Sequence, residues 1–489
     1  MSAVLRLSAL REELEAAGLV TGVAGAGDPV LAGAAQDSRA VQAGDVFLAW
    51  AGTQFDANDA VADAAHRGAV AAVVERPTPG LTLPQVVVRD GRRAAGLAAQ
   101  RVYGSPWRAL TLIGVTGTNG KTTTALLIRA LLATRMDAVA IGTLGLVEPG
   151  GSVRPGTESL TTPGPVQLAQ WLRSLVDAGV GAVAMEVSSH ALDQRRVDGL
   201  RFQVAVFTNI SRDHLDYHPT LDDYIAAKAR LAELIDERGT AVINAEEEAW
   251  SGRLSARPAL TFGVETRADL EATGLTMDHR GSAFFLRWKG EKARVQLPLL
   301  GRFNVENALG AAAAALALGL SLPEVALGLE RAPQVPGRLE RVATAPCTVL
   351  IDYAHTPEAL DRVLETLRPL TRGRLIVLFG AGGDRDPGKR PRMGEAAARH
   401  ADWIVVTSDN PRTEDPDAII DQIVPGLGTA RYERITDRRA AIGHALDMAG
   451  PEDVLVLAGK GHETYQVVGR ERRSFDERRI VHEHLGRHA

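Results

Sequence analysis

The chain has 489 residues, of which 45% are hydrophobic and 24% are charged, and its formal net charge is −5. The composition is ordinary for a globular protein, and the length exceeds what one hydrophobic core supports, so we expect two to four domains. The small net charge, with no basic run of interleaved aromatic residues, argues against a nucleic-acid-binding protein. The single cysteine, Cys347, excludes an intramolecular disulfide and a thiolate metal cage.

Two apolar segments bear on where the protein acts. The N-terminal sequence MSAVLRLSALREELEAAG carries charges at helical spacing, which is unlike a secretory signal. The most apolar run, residues 308–322, is too short to cross a bilayer and predicts a buried, alanine-rich helix. We therefore expect a cytoplasmic protein that has no membrane segment and no membrane partner.

Short apolar runs alternate with helical segments along the whole chain, which indicates an α/β fold with parallel sheets. In the first block, GDVFLAWAG and AVAAVVE predict strands on either side of the helix FDANDAVADAAHRG. The helical segment GRRAAGLAAQRVYG then leads into the strand ALTLIGV. We assign residues 1–105 to a small mixed α/β domain.

The middle block continues with the predicted strands GAVAMEVSS, FQVAVFTNIS and TAVINAE. The alternating segments SAFFLRW and ARVQLPL predict antiparallel strands separated by a turn at Lys289-Gly290. A last helix follows GRFNVENALG, and the Pro- and Gly-containing segment at residues 334–340 is the candidate boundary. We assign residues 106–337 to a central domain with a mostly parallel sheet.

The third block, residues 338–489, repeats one design. Four apolar runs, TVLIDYAH, RLIVLFGAGG, DWIVVTSDNPR and DVLVLAGKGH, each end in polar residues or glycine. Ligands of an open parallel sheet bind beyond the carboxyl ends of its strands. The pattern therefore predicts a Rossmann-like domain in which residues 352–355, 380–390, 409–412 and 459–463 line one cleft.

The sequence GVTGTNGKTTT, residues 114–124, lies between a predicted strand and a predicted helix, as a phosphate-binding loop requires. The strict GxxxxGK[ST] pattern is broken, because Val115 stands where its first glycine belongs. Lys121 is placed to reach the terminal phosphates of a nucleotide, and Thr122 to offer its hydroxyl to Mg²⁺. The alternative is an ordinary strand–helix turn, but three glycines in this context favour a nucleotide site. The predicted binding residues are Gly117, Thr118, Asn119, Gly120, Lys121, Thr122 and Thr123.

Two further residues are candidate metal ligands. Glu186 comes late in the strand GAVAMEVSS, where it resembles the carboxylate that holds Mg²⁺ beside a phosphate loop. His214 follows the next predicted strand, within NISRDHLDYH. Each alone would fit a capping or surface residue, and a histidine is an atypical ligand for Mg²⁺, which prefers oxygen.

The motifs GTNGKTT, MEVSSHALDQRR, FTNISRDHLDYH, IDYAHTPEAL, GGDRDPGKRP, DNPRTEDP and GKGHETYQ occur in this order. Together they resemble the muramyl ligases of cell-wall synthesis, and the resemblance covers nearly the whole chain, from Asp37-Ser38-Arg39 to GKGHE. The family's loop reads TGTNGKT, which explains the displaced glycine. The resemblance implies three domains and an ATP- and Mg²⁺-dependent amide ligase. A substrate carboxylate attacks the γ-phosphate of ATP, and an amine then displaces phosphate from the acyl phosphate.

Within that family the motifs are nearest to the members that add a diamino acid to the D-glutamate of UDP-MurNAc-L-Ala-D-Glu. The resemblance implies that residues 1–105 bind this UDP substrate, and that the central and last domains bind ATP and the amino acid. Lys121, Glu186, His214 and Lys228 would serve catalysis, with Lys228 carbamylated to position a second Mg²⁺. Without the resemblance, Lys228 would be interpreted as a solvated lysine on an amphipathic helix. The implied ATP residues are Asn304, Asn307, Arg338, Asp352 and His355, and the implied UDP-substrate residues are Ser38, Thr161, Thr162, Ser188, Gln194 and Arg196.

The DNPR motif, Asp409 to Arg412, resembles the signature of ligases that add meso-diaminopimelate. Arg412 and Arg390 would bind the distal carboxylate of that amino acid, and Glu463 with the carbonyl of Gly459 would bind its ammonium group. Lysine and ornithine lack this carboxylate, which would disfavour them. They remain alternatives, because some relatives with similar motifs take other diamino acids. DNPR also fits a β-turn, which is compatible with this role. Asp409 and Asn410 complete the predicted amino-acid site.

Two other functions compete with this one. The first is another ligase of the superfamily, one that adds D-Ala-D-Ala or extends folates with glutamate, and DNPR together with GKGHETYQ argues against it. The second is a nucleotide-dependent switch without ligase activity. A nucleotide-dependent switch has no need of the predicted amino-acid pocket with its two arginines and one glutamate, which argues against this function. We expect a monomer whose domains close over the substrates.

Overall fold

The computed structural model describes residues 5–52, 55–156, 160–254, 258–278 and 280–486. These residues form an α/β fold whose sheets are mostly parallel, which confirms the predicted fold class. The chain divides into two compact units. One unit comprises residues 1–272, 286–293 and 306–328, and the other comprises residues 273–285, 294–305 and 329–489.

The first sheet has five strands in the order β1-β5-β4-β3-β2. All neighbours are parallel except β1, which runs antiparallel to β5. Apolar residues of α1 and α3 pack on one face of this sheet, which buries Leu10 and Leu14 completely. The bounds are α1 (Leu7–Ala16), β1 (Val20–Ala24), β2 (Gly33–Ala35), β3 (Asp45–Leu48), α2 (Val61–His66), β4 (Ala71–Val74), β5 (Gln85–Val88) and α3 (Gly91–Val102).

The second sheet has eleven strands in the order β16-β15-β14-β13-β12-β11-β6-β10-β7-β8-β9. Its centre, β12 to β7, is parallel, and β6 lies between β10 and β11. The bounds are β6 (Thr111–Thr116), α4 (Lys121–Leu132), β7 (Ala138–Gly142), β8 (Gly145–Val147), β9 (Val153–Arg154), α5 (Pro165–Asp177), β10 (Ala182–Glu186), α6 (Ser189–Asp193), β11 (Phe202–Phe207), α7 (Leu221–Ala229), β12 (Ile235–Asn244) and β13 (Ala259–Val264).

Three further strands and two helices complete this region. Lys289 and Gly290 form the predicted turn between β15 and β16, and both have positive φ, of 48° and 85°. Residues 308–315 of the alanine-rich run are buried, but the run is not a single helix. It ends as a helix at Ala317, because Gly319 adopts a φ of +89° that breaks the helical path before α9 begins. The bounds are β14 (Leu270–Asp278), β15 (Gly281–Trp288), β16 (Glu291–Leu297), α8 (Arg302–Ala317) and α9 (Leu322–Glu330).

The third sheet has six strands in the order β17-β18-β22-β19-β20-β21, and only β17 is antiparallel to its neighbour. Buried clusters cover both of its faces, as expected for a doubly wound sheet. The bounds are β17 (Glu340–Ala343), β18 (Thr348–Asp352), α10 (Pro357–Leu367), β19 (Leu375–Phe379), α11 (Lys389–His400), β20 (Trp403–Val406), α12 (Pro416–Ile423), β21 (Tyr432–Arg434), α13 (Arg438–Met448), β22 (Val454–Ala458), β23 (Tyr465–Val468), β24 (Glu471–Ser474) and α14 (Glu477–Leu485).

Among the described residues, none of the helices combines the length and the apolar character that a bilayer crossing needs.

Candidate active site

The predicted phosphate loop connects β6 to α4, and two of its glycines cannot be replaced without a collision. Gly117 has a φ of +146°, and a Cβ atom there would lie 1.9 Å from Oγ1 of Thr208. Gly120 has a φ of +84°, and its Cβ would lie 2.1 Å from Oδ1 of Asn307. Gly114 lies inside β6, so it belongs to the strand and not to the loop. The loop thus brings backbone close to other groups at residues 117 and 120.

The segment after β11 holds the loop in shape. Thr208 donates from Oγ1 to the carbonyl of Asn119 over 2.8 Å. Asn209 accepts from the backbone N–H of Thr118 at 2.7 Å through its carbonyl, and from that of Asn119 at 3.0 Å through Oδ1. Thr208 and Asn209 were not singled out from the sequence. Their signal is that they follow a buried strand, in FTNIS, at the same sheet edge as the loop.

Two lysines converge on the same loop. Lys121 donates from Nζ to the carbonyl oxygens of Gly117 and Thr118, over 2.9 and 2.8 Å. Lys228 is 1% exposed, and its Nζ donates to the carbonyl of Gly117 over 2.7 Å and lies 4.5 Å from the centre of the Tyr224 ring. The solvated interpretation of Lys228 is therefore wrong. Burial, with the nearby charge of Lys121, lowers the pKa of Lys228 well below its usual value.

The predicted metal carboxylate emerges beside the loop, because β10 pairs with β6 in a register that sets Glu186 opposite Val115. Glu186 is 2% exposed. Its Oε1 accepts from the backbone N–H of Thr143 at 2.8 Å, and its Oε2 from the hydroxyl of Thr143 at 3.2 Å. Glu186 and Thr122 line one small cavity. A hydroxyl and a carboxylate are oxygen ligands of the kind that Mg²⁺ prefers.

His214 lies in a cluster of rings next to the loop. It has a φ of +53°, and its ring centre is 4.7 Å from that of His190, with Tyr217 and His218 close by. Burial lowers the pKa of His214, and it lowers that of His190 to about 4. These rings are therefore neutral near pH 7. Within the described ranges, no three His, Cys, Asp or Glu side chains form a preassembled metal cage.

Five of the predicted UDP-substrate residues form one network at this edge of the sheet. The hydroxyl of Thr162 donates to the carbonyl of Glu186 over 2.9 Å and accepts from the N–H of Ser188 at 3.1 Å. Arg196 donates to the carbonyl of Thr162 and, from two nitrogens, to Oε1 of Gln194. The remaining member, Thr161, accepts from the hydroxyl of Thr143 at 3.4 Å.

Ser38 lies elsewhere on the same unit, in the short turn of residues 38–40. The structure describes no hydrogen bond between Ser38 and that network. Gln36, two residues earlier, accepts a hydrogen bond through Oε1 from the backbone N–H of Val166 over 3.5 Å. The placement of Ser38 in a substrate site stays a prediction.

In the other unit, Asp352 holds the loop in which it lies. Its Oδ2 accepts from the N–H of Leu339 at 2.7 Å and its Oδ1 from that of Ala354 at 2.8 Å, while burial raises its pKa. Arg338 lies 5.2 Å from the ring centre of Tyr353, whose ring contacts His355. Asp352, Arg338 and His355, predicted for ATP, are thus neighbours.

The two predicted asparagines on α8 are both buried. Asn304 is 1% exposed and donates from Nδ2 to the carbonyl of Leu300 over 2.8 Å. Asn307 is 5% exposed and places its carboxamide oxygen against Gly120, as described above. Asn307 is thus in contact with the loop.

Several strand ends of the third sheet lie close together. The N–H of Gly459 donates to the carbonyl of Asp352 over 3.0 Å, which joins the ends of β18 and β22. Asn410, after β20, donates from Nδ2 to Oε2 of Glu463 over 2.9 Å. The Nζ of Lys460 lies 3.6 Å from Oδ1 of Asp409. Asp409, Asn410, Gly459 and Glu463 therefore form one group.

The two predicted arginines differ in their partners. Arg390 is 1% exposed and makes a bidentate ion pair with Glu414, with contacts of 2.8 and 2.9 Å. Arg412 has a φ of +53° and donates from Nη1 to the carbonyl of Gly383 over 2.7 Å. Arg390 therefore already binds a carboxylate of the chain itself, which the sequence did not indicate. Its contact with a substrate stays a prediction.

The loop between a parallel strand and a helix, with a carboxylate on the adjacent strand, defines a nucleotide-binding protein of the phosphate-loop class. Residues 115–315 match the family described as Mur ligase middle domain, and residues 337–461 match Mur ligase, glutamate ligase domain.

Similar proteins extend the match to nearly the whole chain. The UDP-N-acetylmuramoyl-L-alanyl-D-glutamate–2,6-diaminopimelate ligase of Geobacillus kaustophilus is 42% identical over 466 residues, which are 93% of this chain and 95% of that protein. The protein of the same name from Geobacter metallireducens is 44% identical over 479 residues, which are 91% of this chain and 92% of that protein. A solved structure of a ligase with this name superposes with a TM-score of 0.70 at 34% identity, covering 94% and 96%. The chain belongs to the Mur ligase family.

Proposed function

We propose that this protein is an ATP-dependent ligase that joins 2,6-diaminopimelate to the D-glutamate of UDP-N-acetylmuramoyl-L-alanyl-D-glutamate, a step of peptidoglycan precursor synthesis. One observation carries the proposal. Relatives that bear this ligase name are 42% and 44% identical over more than nine-tenths of the chain. The phosphate loop and the polar strand ends supply the groups that such a reaction needs.

The loop fits a nucleoside triphosphate. Gly117 and Gly120 have positive φ angles, and α4 begins at Lys121, so the loop leads into the N-terminus of a helix, which favours anionic ligands such as phosphate. We infer that Lys121 exchanges its bonds to the Gly117 and Thr118 carbonyls for phosphate oxygens. We propose that the rest of ATP contacts Asn307, Arg338, Asp352 and His355. Asn304 would support these contacts.

The residues beside the loop also fit Mg²⁺. Thr122 and Glu186 offer oxygen ligands in one cavity, and the neutral ring of His214 offers a nitrogen. A bound Mg²⁺ would neutralise phosphate charge and so allow a carboxylate to approach. Lys228 supports the same site if it carries a carbamate, because burial lowers the pKa of its amine and so favours the neutral form that reacts with carbon dioxide.

The chain's own part in the reaction is to hold two anions together. The carboxylate of D-glutamate attacks the γ-phosphorus and ADP leaves, which gives an acyl phosphate. The amine of diaminopimelate then attacks the acyl carbon, inorganic phosphate leaves, and the amine gives up a proton. The positive charge of Lys121 stabilises the transferred phosphoryl group in both steps.

We propose that the UDP substrate lies along Thr161, Thr162, Ser188, Gln194 and Arg196, with Ser38 at its far end. Among the residues that the structure describes, the hydrogen bonds of the Arg196 guanidinium go to neutral oxygens, of Thr162 and Gln194, so its positive charge is available to an anionic part of the substrate.

The amino acid is assigned to the group of strand ends in the third sheet. Arg412 would bind the distal carboxylate, and Glu463 with the carbonyl of Gly459 would bind the ammonium. Asp409 and Asn410 hold these residues in place, and Arg390 acts with its partner Glu414. L-lysine or L-ornithine is the alternative amino acid, and a nucleotide-dependent switch without ligation is the alternative function.

The proposed domain division follows the three sheets. Residues 1–105 would bind the UDP substrate, residues 106–337 ATP, and residues 338–489 the amino acid. The large sheets lie within residues 20–88, 111–297 and 340–458, so each is contained in one proposed domain. A monomeric, cytoplasmic state stays a prediction from the sequence.

The experiment is phosphate release from ATP with UDP-MurNAc-L-Ala-D-Glu, in four parallel reactions with diaminopimelate, lysine, ornithine or no amino acid. We expect stimulation by diaminopimelate. Arg412→Lys should raise the KM for diaminopimelate more than that for lysine, because a bidentate carboxylate contact is lost. Stimulation by lysine or ornithine alone would overturn the substrate, and equal release in all four reactions would overturn the ligase.

A further inference from the structure

Lys460 is a fully buried cation in the middle of the proposed amino-acid site, and the reaction as described above assigns it no role. It is 0% exposed and lies two residues after β22. Its Nζ lies 2.9 Å from Oδ1 of Asn410, 3.2 Å from Oε2 of Glu463 and 3.6 Å from Oδ1 of Asp409. One ammonium group therefore joins the DNPR segment to the GKGHE segment.

These contacts fix the orientation of Asn410. Its Oδ1 accepts from Lys460 and also from the backbone N–H of Val467, at 2.9 Å each. With both bonds made to the oxygen, the Nδ2 group must turn to Glu463, to which it donates over 2.9 Å. Without the ammonium group, one of the bonds that define this orientation is lost.

The same contacts determine what Glu463 can offer to a ligand. Its Oε2 accepts from both Lys460 and Asn410, and no hydrogen bond to Oε1 occurs within the part of the chain that the structure describes. Asp409 and Glu463 place two carboxylates around one buried cation, which offsets a repulsion that would otherwise drive them apart. Glu463 is thereby held with one oxygen occupied and the other available.

We propose that Lys460 is a positioning residue that aims Oε1 of Glu463 at the ammonium group of the diamino acid and so contributes to amino-acid affinity. This inference rests on the proposed function. Lys460 does not contact the reacting atoms. It acts through Glu463 and Asn410, and its removal should weaken binding of the amino acid while ATP and the UDP substrate bind as before.

A purely structural role would have a different signature. If Lys460 only stabilised the third sheet, its substitution would lower stability and reduce the activity toward all three substrates together. A positioning role predicts a change confined to one substrate. The KM values for the three substrates therefore separate the two roles.

The test uses the full chain with Lys460→Met, which removes the charge, and Lys460→Gln, which keeps a donor for Asn410. The KM is measured for diaminopimelate, ATP and the UDP substrate, together with ADP–ATP exchange in the absence of amino acid. For Lys460→Met we expect the KM for diaminopimelate to rise at least about tenfold, as for loss of one partner of a buried charge pair. Lys460→Gln should show a smaller rise, and exchange should be retained in both.

Glu463→Gln supplies the matched comparison. Because Lys460 acts through Glu463, the double variant should bind diaminopimelate hardly more weakly than Glu463→Gln alone. An unchanged KM for diaminopimelate in the folded variants, additive effects in the double variant, or an equal rise for all three substrates would each overturn the inference. Failure of the unsubstituted protein to release phosphate in response to diaminopimelate would instead overturn the proposed function.

Discussion

Lys228 donates a hydrogen bond from Nζ to the carbonyl oxygen of Gly117 over 2.7 Å, although the two residues are 111 positions apart in the chain. The contact places a buried amine directly under the phosphate loop. Burial and the charge of Lys121 lower the pKa of that amine. Carbamylation of Lys228, implied by the family resemblance, is chemically reasonable at this position because only a neutral amine reacts with carbon dioxide.

We therefore expect activity to depend on dissolved carbon dioxide. Removing bicarbonate from the assay should lower kcat, and adding it back should restore kcat. Lys228→Met should lower kcat about 10²-fold, which is typical for the loss of one group that stabilises transition-state charge. The exposed Lys292→Met is the control and should keep full activity. A rate that is indifferent to bicarbonate in the unsubstituted protein would contradict the carbamate.

Substitutions at Gly120 and Gly319 can separate the cost of a positive φ angle from the cost of a steric collision. Gly120 and Gly319 have nearly the same φ, of +84° and +89°, but only at Gly120 would a Cβ meet another atom. Gly319→Ala should cost about 1–2 kcal/mol of unfolding free energy, the cost of a left-handed alanine. Gly120→Ala should add the collision with Asn307 and abolish nucleotide binding.

The measurement is thermal unfolding with and without ATP and Mg²⁺. The unsubstituted protein and Gly319→Ala should both gain Tm on addition of nucleotide, and Gly120→Ala should gain none. An equal gain in all three proteins would show that the loop does not bind the phosphates.

Glu186 is expected to control the Mg²⁺ dependence. Glu186→Gln keeps an oxygen that can accept the bond from Thr143 but removes the negative charge, so kcat should fall about 10²-fold. Phosphate release measured against Mg²⁺ concentration should show half-saturation at a higher concentration than in the unsubstituted protein. The exposed Glu248→Gln is the control, and a Mg²⁺ curve unaltered by Glu186→Gln would exclude Glu186 as a ligand.

A pH effect on stability should arise at His462. Burial, with the charges of Arg338 and Arg478, lowers its pKa to about 4 from 6.5. Between these values the unfolded chain binds a proton that the folded chain does not. The His462 contribution to stability is therefore present above pH 6.5 and is lost as pH falls toward 4.

His462→Gln should make the free energy of unfolding decline less steeply between pH 6.5 and 4. Denaturant unfolding at several pH values measures this slope. The exposed His66→Gln serves as the control. Equal slopes for His462→Gln and the unsubstituted protein would show that His462 is not held neutral in the fold.

The sheets and the loop could be predicted from the sequence because their signals are local. Buried parallel strands appear as short apolar runs, and the glycines and lysine of the phosphate loop are adjacent in the chain. The alignment of Glu186 with the loop followed from the rule that parallel strands end at one sheet edge. The break at Gly319 within the alanine-rich run shows the limit of a purely apolar signal.

The long-range partners could not be predicted. Nothing in the local sequence distinguishes Lys228 from a surface lysine on a helix, because its burial depends on a contact with Gly117. The pairing of Arg390 with Glu414 could not be predicted from the local sequence either, because α11 and the DNPRTE segment come together only in the folded structure. Thr143 was missed for the same reason. Thr208 and Asn209 could have been found, because they follow a buried strand at the same sheet edge as the loop.

The stoichiometry of the coupled reaction tests the proposed ligation most directly. Inorganic phosphate and UDP-MurNAc-tripeptide are measured in the same sample with ATP, Mg²⁺, UDP-MurNAc-L-Ala-D-Glu and diaminopimelate, for the unsubstituted protein and Lys121→Ala. We expect equal amounts of phosphate and tripeptide from the unsubstituted protein, and neither product from Lys121→Ala. Phosphate without tripeptide, or full turnover by Lys121→Ala, would contradict the proposed ligation.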